Sequence, residues 1–134
     1  ITRSLNVVAK LMEHEHINVI MLSGQLSRSE ADLAGELSDG ALTELVSEKV
    51  ISCAYGLNPR SGLTTSDAMH VKTGRSIIAH MGELIVLADH TKFLRTGTVQ
   101  LAPASAISTI ITGKEAPRSI LDEFRGLGVK VIEV

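Results

Sequence analysis

Aromatic residues are almost absent from this 134-residue chain, which has one tyrosine, two phenylalanines and no tryptophan. Single-strand nucleic-acid binders of the RRM and OB types stack bases on aromatic side chains, so the composition argues against that class. Basic residues are also not in excess, since the formal net charge is −2. Because phosphate neutralisation needs clustered lysine and arginine, we do not expect this segment itself to bind nucleic acid.

Cysteine is represented once, by Cys53, which excludes an internal disulfide framework and a cysteine-based zinc site. A reducing compartment is the simplest interpretation, and we expect a cytoplasmic protein. Cys53 falls within a predicted strand, so we interpret it as a small buried residue and not as a nucleophile. The five histidines are not spaced as metal ligands, and we predict neither a metal nor a cofactor.

Long apolar runs are missing as well. No run approaches the roughly 20 residues that cross a bilayer, and no secretion signal opens the chain, so we expect no membrane association. What the chain has is an aliphatic composition, 44% hydrophobic and 21% charged, in a length that fits one domain. We therefore predict a single domain over 1–134. Because the chain starts at Ile1 and not at methionine, we expect it to be truncated at its N-terminus.

Hydrophobic periodicity alternates between helix and strand along the chain. Helical spacing predicts helices at 5–15, 37–46, 68–81 and 117–127. Short apolar runs predict strands at 17–22, 50–55, 84–88, 98–102, 107–112 and 129–134. The glycine- and proline-containing stretch 56–62 is predicted to be a loop. Helix ends are indicated by the N-cap candidates Ser4 and Asp67, by Pro117 as a first helical residue, and by Gly128 just past a last one.

This alternation is typical of an α/β fold, a three-layer, Rossmann-like arrangement with a mostly parallel sheet and helices on both faces. Ligands of such folds bind at the carboxyl edge of the sheet. Polar segments follow three predicted strands: Ser23-Gly24, Tyr55-Gly56-Leu57-Asn58 and Asp89-His90-Thr91-Lys92. We expect these segments to converge and to form a small-molecule site.

The last of these segments carries the most chemistry. Lys92 can neutralise a phosphate as a point charge, and Asp89 can accept hydrogen bonds from sugar hydroxyls. The alternative, equally weighted from position alone, is a solvated turn in which Asp89 caps local N–H groups. Three residues are weaker candidates. Lys72 is in a predicted helix, where a lysine is usually a surface residue, and Gly24 and Gly56 are in turns, which need glycine in any case.

Several stretches resemble the C-terminal sensor domain of the DeoR family of bacterial transcription regulators. The most specific is Val86–Phe93, and the others are Ile17–Leu26, Ser29–Gly35 and Gly62–Thr65. The resemblance implies a fold related to ribose-5-phosphate isomerase and to NagB-like domains. It implies a phosphorylated sugar or related metabolite as effector, a repressor of carbohydrate metabolism, and a homodimer or homotetramer. DNA would be bound by a winged helix-turn-helix that this chain does not include.

The resemblance also implies residues for the effector site. Lys92 matches the lysine expected near the effector phosphate, Asp89 the aspartate that heads its loop, and Lys72 a lysine in the helix after Gly-Leu-Thr. The family's Asp-Ser-Gly-Thr-Thr phosphate loop is expected upstream of Ile1. Further positions expected around the effector are Thr91, Tyr55, Gly56, Asn58, Gly24, Thr2 and Ser4.

Three positions depart from the family pattern. Tyr55 and Asn58 stand where aspartates are common, and Leu94 where glycine is common. Neither a phenol of pKa about 10 nor an amide acts as a base at neutral pH, so we predict no enzyme and an altered or weakened effector response. Two alternatives stay open: a sugar-phosphate isomerase or deaminase that uses Asp89 and His90 as its base, and a ligand-free oligomerisation module.

Overall fold

The structure is a computed structural model of the chain, and it describes residues 1–28, 31–34, 46–67, 71–80 and 82–134. The chain divides into two compact units, Ile1–Leu45 and Val46–Val134. The helix predicted at 37–46 lies outside the described residues, apart from Val46. Within the described part, no helix is long and apolar enough to cross a membrane.

The first unit holds the helix α1 (Leu5–Leu11) and an antiparallel hairpin of β1 (Gln25–Ser27) and β2 (Asp32–Ala34). Ser4 is the N-cap of α1, as predicted, and its hydroxyl accepts a hydrogen bond from the Val7 N–H at 3.4 Å. The cap satisfies one of the donors that the first turn of a helix leaves free. The helix ends four residues earlier than the predicted position 15, where the chain enters turns.

The strand predicted at 17–22 is reduced to one isolated parallel bridge, between Thr2 and Met21. The Thr2 N–H donates to the Ile20 carbonyl, and the Leu22 N–H donates to the Thr2 carbonyl, both at 2.9 Å. The apolar run is therefore extended, but a ladder needs more than one paired residue along it. The prediction of a full strand is wrong for this reason.

The second unit contains seven strands within its described residues: β3 (Lys49–Cys53), β4 (Gly56–Asn58), β5 (Gly62–Thr65), β6 (Glu83–Ala88), β7 (Val99–Ala102), β8 (Ile107–Thr112) and β9 (Lys130–Glu133). Four of them form a parallel sheet in the order β3-β6-β8-β9. All four correspond to predicted strands. The α/β class and the parallel sheet are confirmed.

A second sheet was not foreseen. It has three antiparallel strands in the order β4-β5-β7, and its first hairpin includes the stretch 56–62 that was predicted to be a loop. The glycine and asparagine of this stretch serve the hairpin turn: the Asn58 Oδ1 accepts from the Arg60 N–H at 2.9 Å, and Gly62 has φ +68°. The predicted strand at 98–102 forms as β7, paired to this hairpin.

Thr64 links this sheet by hydrogen bonds to the segment that follows Lys92. Its buried hydroxyl donates to the Gly56 carbonyl at 3.0 Å and accepts from the Gly97 N–H at 2.8 Å. Gly56 is needed because a Cβ there would lie 2.7 Å from both the Arg95 carbonyl oxygen and the Thr64 Oγ1. The backbone after the Lys92 loop is thus held closely against β4 and β5.

Two α-helices belong to the described part of this unit, α2 (Val71–His80) and α3 (Arg118–Gly126), together with two short 3-10 helices, His90–Leu94 and Ala104–Ala106. Helix α2 lies along β7, where the guanidinium of Arg75 donates twice to the Gln100 carbonyl, at 3.0 and 2.7 Å. The N-cap predicted at Asp67 adjoins residues 68–70, which lie outside the described residues.

Helix α3 buries Leu121 and Phe124 completely in the core. Pro117 is its N-cap and not its first residue, so the helix begins one residue later than predicted. Gly128 ends it as expected: φ is +86°, the Gly128 N–H donates to the Arg125 carbonyl, and the Val129 N–H donates to the Phe124 carbonyl. This is the Schellman arrangement.

The core lies on one face of the parallel sheet. Val86 and Ile110 are fully buried there and join the cluster that contains the buried side chains of α3. On the opposite face Ile51 is 67% exposed and Leu87 is 37% exposed. The three-layer arrangement with helices on both faces therefore stays a prediction.

Candidate functional site

A shallow cleft of about 360 Å³ follows the carboxyl edge of the parallel sheet. Each of the four parallel strands, or the residue just after it, contributes to its wall. This is the edge at which ligands of parallel α/β sheets bind, and one of the three segments expected there, Asp89–Lys92, contributes to the lining. The cleft is lined by Cys53, Ala54, Leu87, Ala88, Asp89, Lys92, Ile111, Thr112, Gly113 and Val134.

Asp89 begins a short 3-10 helix, His90–Leu94, as its N-cap. Its Oδ1 accepts hydrogen bonds from the Thr91 backbone N–H, at 2.8 Å, and from the Thr91 hydroxyl. These two bonds are the main reason that the pKa of Asp89 lies below its ordinary value, and the charge of Lys92 lowers it further. The local capping that we considered for Asp89 is therefore present, and the residue also borders the cleft.

Lys92 brings positive charge to the cleft. Its Nζ lies 3.7 Å from the Asp89 Oδ2, and its side chain is 27% exposed. Because the Asp89 side chain is itself 57% exposed, solvent screens this ion pair and makes it weak. An anion that enters the cleft can therefore compete with Asp89 for the lysine.

Phe93 holds the 3-10 helix in place. It is 3% exposed and belongs to the core cluster, directly after Lys92 in the chain. A buried anchor next to the lysine restricts where the lysine can reach. Leu94, which departs from the family pattern, is 74% exposed and adds nothing to the core.

The Tyr55–Asn58 segment directly follows the lining residues Cys53 and Ala54 in the chain but is not itself part of the lining. Tyr55 is exposed, and its ring lies 6.0 Å from the guanidinium carbon of Arg95. Gly56 is buried in β4, and the Asn58 side chain accepts a hydrogen bond from the Arg60 N–H in the hairpin turn. The structure thus gives Gly56 and Asn58 structural roles in the hairpin.

The other predicted site residues lie elsewhere. Thr91 sits in the 3-10 helix, where it binds Asp89, and Lys72 is an exposed residue near the start of α2. Thr2, Ser4 and Gly24 belong to the first unit. There the Ser4 N–H donates to the Thr2 Oγ1 at 3.2 Å, and Gly24 immediately precedes β1. Their assignment to the effector site stays a prediction.

Of the eight lining residues that were not predicted as site residues, Cys53 and Thr112 carry a thiol and a hydroxyl. Cys53 was interpreted as buried, which is wrong: it is exposed, because it ends an edge strand of the sheet on the face opposite the core. Thr112 ends β8 and is 2% exposed. The strand 107–112 was predicted, so applying the strand-end argument to it would have found Thr112.

Comparisons with known proteins bear on what the cleft is for. Residues 1–114 match the model of the DeoR C-terminal sensor domain family. The chain is 26% identical over 121 residues to the glycerol-3-phosphate regulon repressor of Escherichia coli K12, covering 90% of this chain and 48% of the repressor. It is 27% identical over 135 residues to the HTH-type transcriptional regulator UlaR of Escherichia coli K12/DH10B, covering 100% of this chain and 53% of the regulator. The chain spans about half the length of these relatives.

Proposed function

Because the chain belongs to the DeoR C-terminal sensor domain family, we propose that it is the metabolite-sensing domain of a transcriptional repressor of carbohydrate metabolism. A phosphorylated sugar binds in the cleft and modulates operator binding. The names of the relatives support this role, since one is the repressor of a glycerol-3-phosphate regulon and the other a helix-turn-helix regulator. DNA is bound by a winged helix-turn-helix outside this chain, and the regulator acts in the cytoplasm as a homodimer or homotetramer.

The observation that carries the proposal is the placement of Lys92. Its ammonium group borders a cleft at the carboxyl edge of a parallel sheet, and its loop is held by the buried Phe93 and the capping carboxylate of Asp89. A phosphate that enters the cleft replaces Asp89 as the partner of the lysine. Because the loop is already anchored, the ammonium group is in position before the ligand binds, and this reduces the entropic cost of binding.

A sensor fits these residues better than an isomerase or a deaminase. A general base works best when its pKa is close to the operating pH, whereas the bonds from Thr91 lower the pKa of Asp89. The lining of the cleft includes neither Tyr55 nor Asn58. We also propose that the second unit is part of a three-layer, Rossmann-like domain resembling ribose-5-phosphate isomerase.

Sensing requires two states of the regulator with different affinities for the effector. We place the difference in the packing of subunits, which sets the spacing of their DNA-binding heads. The effector then shifts the population toward the subunit arrangement that binds it more tightly.

The test is calorimetric titration of the folded chain with ribose 5-phosphate and glycerol 3-phosphate, and with the corresponding unphosphorylated compounds. We expect at least one phosphorylated ligand to bind and its unphosphorylated counterpart not to bind. Lys92→Met should weaken binding about 10- to 100-fold, which corresponds to one charged hydrogen bond of about 1.5–3 kcal/mol.

The matched control is Lys130→Met, an exposed lysine at the amino end of β9, at the opposite edge of the same sheet. This variant should bind like the unaltered chain. The proposal is wrong if no phosphorylated compound binds, or if the Lys92 and Lys130 variants bind equally well. Complete absence of binding would favour the ligand-free oligomerisation module.

A further inference from the structure

The 3-10 helix that carries Lys92 joins the two sheets of the second unit. Only Asp89 separates the helix from β6 of the parallel sheet, and residues 95–98, which we call the connector, lead from its end into β7 of the antiparallel sheet. The Asp89 cap fixes the beginning of the helix, and the buried Phe93 anchors it in the core. The end of the helix depends on how the connector is held.

One buried hydroxyl, that of Thr64 in β5, ties the connector to the antiparallel sheet. Its Oγ1 accepts a hydrogen bond from the Gly97 N–H at 2.8 Å and donates one to the Gly56 carbonyl at 3.0 Å. A hydroxyl has one proton and can accept at the same oxygen, so Thr64 serves both partners at once. The residue is 2% exposed, which protects both bonds from competition by water. The hydroxyl therefore joins β4, β5 and the connector at one point.

The connector also contacts both strands of the hairpin through its backbone. A Cβ on Gly56 would lie 2.7 Å from the Arg95 carbonyl oxygen, and a Cβ on Gly97 would lie 2.4 Å from the carbonyl carbon and oxygen of Thr65. These distances leave no room for a side chain, so the close approach requires glycine at both positions. The 3-10 helix itself packs against β4. The hairpin thus places both the connector and the end of the helix.

Lys92 lies close to that end. It precedes Arg95 by three positions, and its backbone N–H donates to the Asp89 carbonyl at 3.1 Å within the helix. Its side chain borders the cleft and is 27% exposed. Because the helix has only five residues, a shift of its end changes where the ammonium group lies.

We propose that Thr64 is a positioning residue of the effector site. It touches no ligand itself. Its two hydrogen bonds hold the end of the 3-10 helix against the hairpin and so keep Lys92 at the cleft. This inference rests on the proposed function, in which Lys92 binds the phosphate of the effector. It requires that any effect of Thr64 on binding passes through Lys92, which a role in stability alone does not require.

The experiment measures how well ligands protect Cys53 from alkylation by iodoacetamide. Cys53 is the one cysteine of the chain, is exposed and borders the cleft. Its alkylation rate is recorded with increasing ribose 5-phosphate or glycerol 3-phosphate, relative to the same variant without ligand. The variants are Thr64→Val, Thr64→Ser, Lys92→Met and the double variant Thr64→Val/Lys92→Met. Each is measured at a temperature where circular dichroism shows it to be folded.

We expect at least one ester to protect the unaltered chain and Thr64→Ser at similar concentrations. Thr64→Val should need about 5- to 10-fold more of that ester, because a displaced lysine loses part of a charged hydrogen bond. In the Lys92→Met background, Thr64→Val should change the protecting concentration less than about twofold, since residues that act through one contact are not additive. Gly128→Ala is the stability control. Its strained φ destabilises the chain just before β9, at the opposite edge of the parallel sheet, so it should be protected like the unaltered chain.

A second measurement needs no substitution at position 64, and it decides the question if Thr64→Val does not fold. Coupling between a bond and a ligand is reciprocal, so a bond that supports binding is itself strengthened by the ligand. Hydrogen exchange of the Gly97 N–H in the unaltered chain should slow when the protecting ester is saturating. The slowing should exceed that of the Gly128 N–H, which donates to the Arg125 carbonyl at the end of α3.

The possible failures can be told apart. If esters protect the unaltered chain and Lys92→Met weakens the protection, but Thr64→Val is protected like the unaltered chain, the role of Thr64 is wrong and the proposed function stands. The same conclusion follows if Thr64→Val has an equal effect with and without Lys92, or if the ester slows exchange at Gly97 no more than at Gly128. If no ester protects the unaltered chain, the proposed function fails and the role of Thr64 fails with it.

Discussion

Thr64→Val should destabilise the chain far more than its small chemical change suggests. Valine has nearly the shape of threonine, so packing around the side chain is retained. The change removes the hydroxyl that joins the Gly56 carbonyl and the Gly97 N–H, at 3.0 and 2.8 Å. Thr64 is 2% exposed, so water cannot replace the lost bonds without a rearrangement.

The size of the effect follows from the two groups left behind. An unsatisfied buried donor or acceptor costs about 1–3 kcal/mol. Because the Gly97 N–H is only partly buried, we expect the two groups together to cost about 2–4 kcal/mol. Thr64→Ser is the matched control: it keeps both hydrogen bonds and loses one buried methyl group, worth roughly 1 kcal/mol. For a chain of this size the valine variant should unfold on the order of 10 °C lower, and the serine variant only about 4 °C lower.

The assays are thermal unfolding, which gives the Tm, and urea unfolding, which gives the midpoint and the m-value, both followed by far-ultraviolet circular dichroism. Both variants should lower the midpoint without changing the m-value, since neither alters the surface exposed on unfolding. The reasoning is refuted if Thr64→Val is as stable as Thr64→Ser or more stable. That order would mean that the two hydrogen bonds contribute less than one buried methyl group.

Three further predictions concern single positions. Because the pKa of Asp89 is below its ordinary value of 3.8, its carboxylate stabilises the fold above that pH and loses this effect as the pH falls through the lowered pKa. The stability difference between the unaltered chain and Asp89→Asn, measured by urea unfolding from pH 2 to 7, should be constant above about pH 5 and shrink in acid; a pH-independent difference would contradict this. Gly128→Ala should cost roughly 1–2 kcal/mol because φ is +86°. Gly126→Ala, at the last residue of α3 with open space around a Cβ, should gain up to about 1 kcal/mol. Equal urea midpoints for the two variants would contradict both expectations. Cys53, being exposed, should react with iodoacetamide without denaturant, as followed by mass spectrometry, and a native thiol that stays unreacted would contradict its placement.

Local chemistry made part of the fold predictable. The apolar runs that became β3, β6, β8 and β9 are short and continuous, which is the pattern of strands in a parallel sheet. The end of α3 was predictable for a different reason. Glycine adopts a positive φ without strain, so Gly128 marks the stop by its own backbone preference.

The candidate site was predictable only in part. The loop with Asp89 and Lys92 follows a predicted strand, so its place at the carboxyl edge could be inferred. The hairpin of β4 and β5 could not be inferred, because β5 pairs with β7, and the register joins Leu63 to Ala102 across 39 residues of sequence. Asn58 lies in the turn of this hairpin, where its Oδ1 accepts from the Arg60 N–H two residues on, so this contact is local.

By itself, the sequence determined the aliphatic core, the alternation of helices and strands, and the charged loop that contributes Asp89 and Lys92 to the lining of the cleft. These properties depend on side-chain type and on the periods of helix and strand, which neighbouring residues carry. Only the tertiary structure decided that Cys53 is exposed at the end of β3 and that the Thr112 hydroxyl is buried with no hydrogen-bond partner among the described residues. Burial and hydrogen-bond satisfaction depend on strands far apart in the sequence, and they become defined when the sheet is assembled.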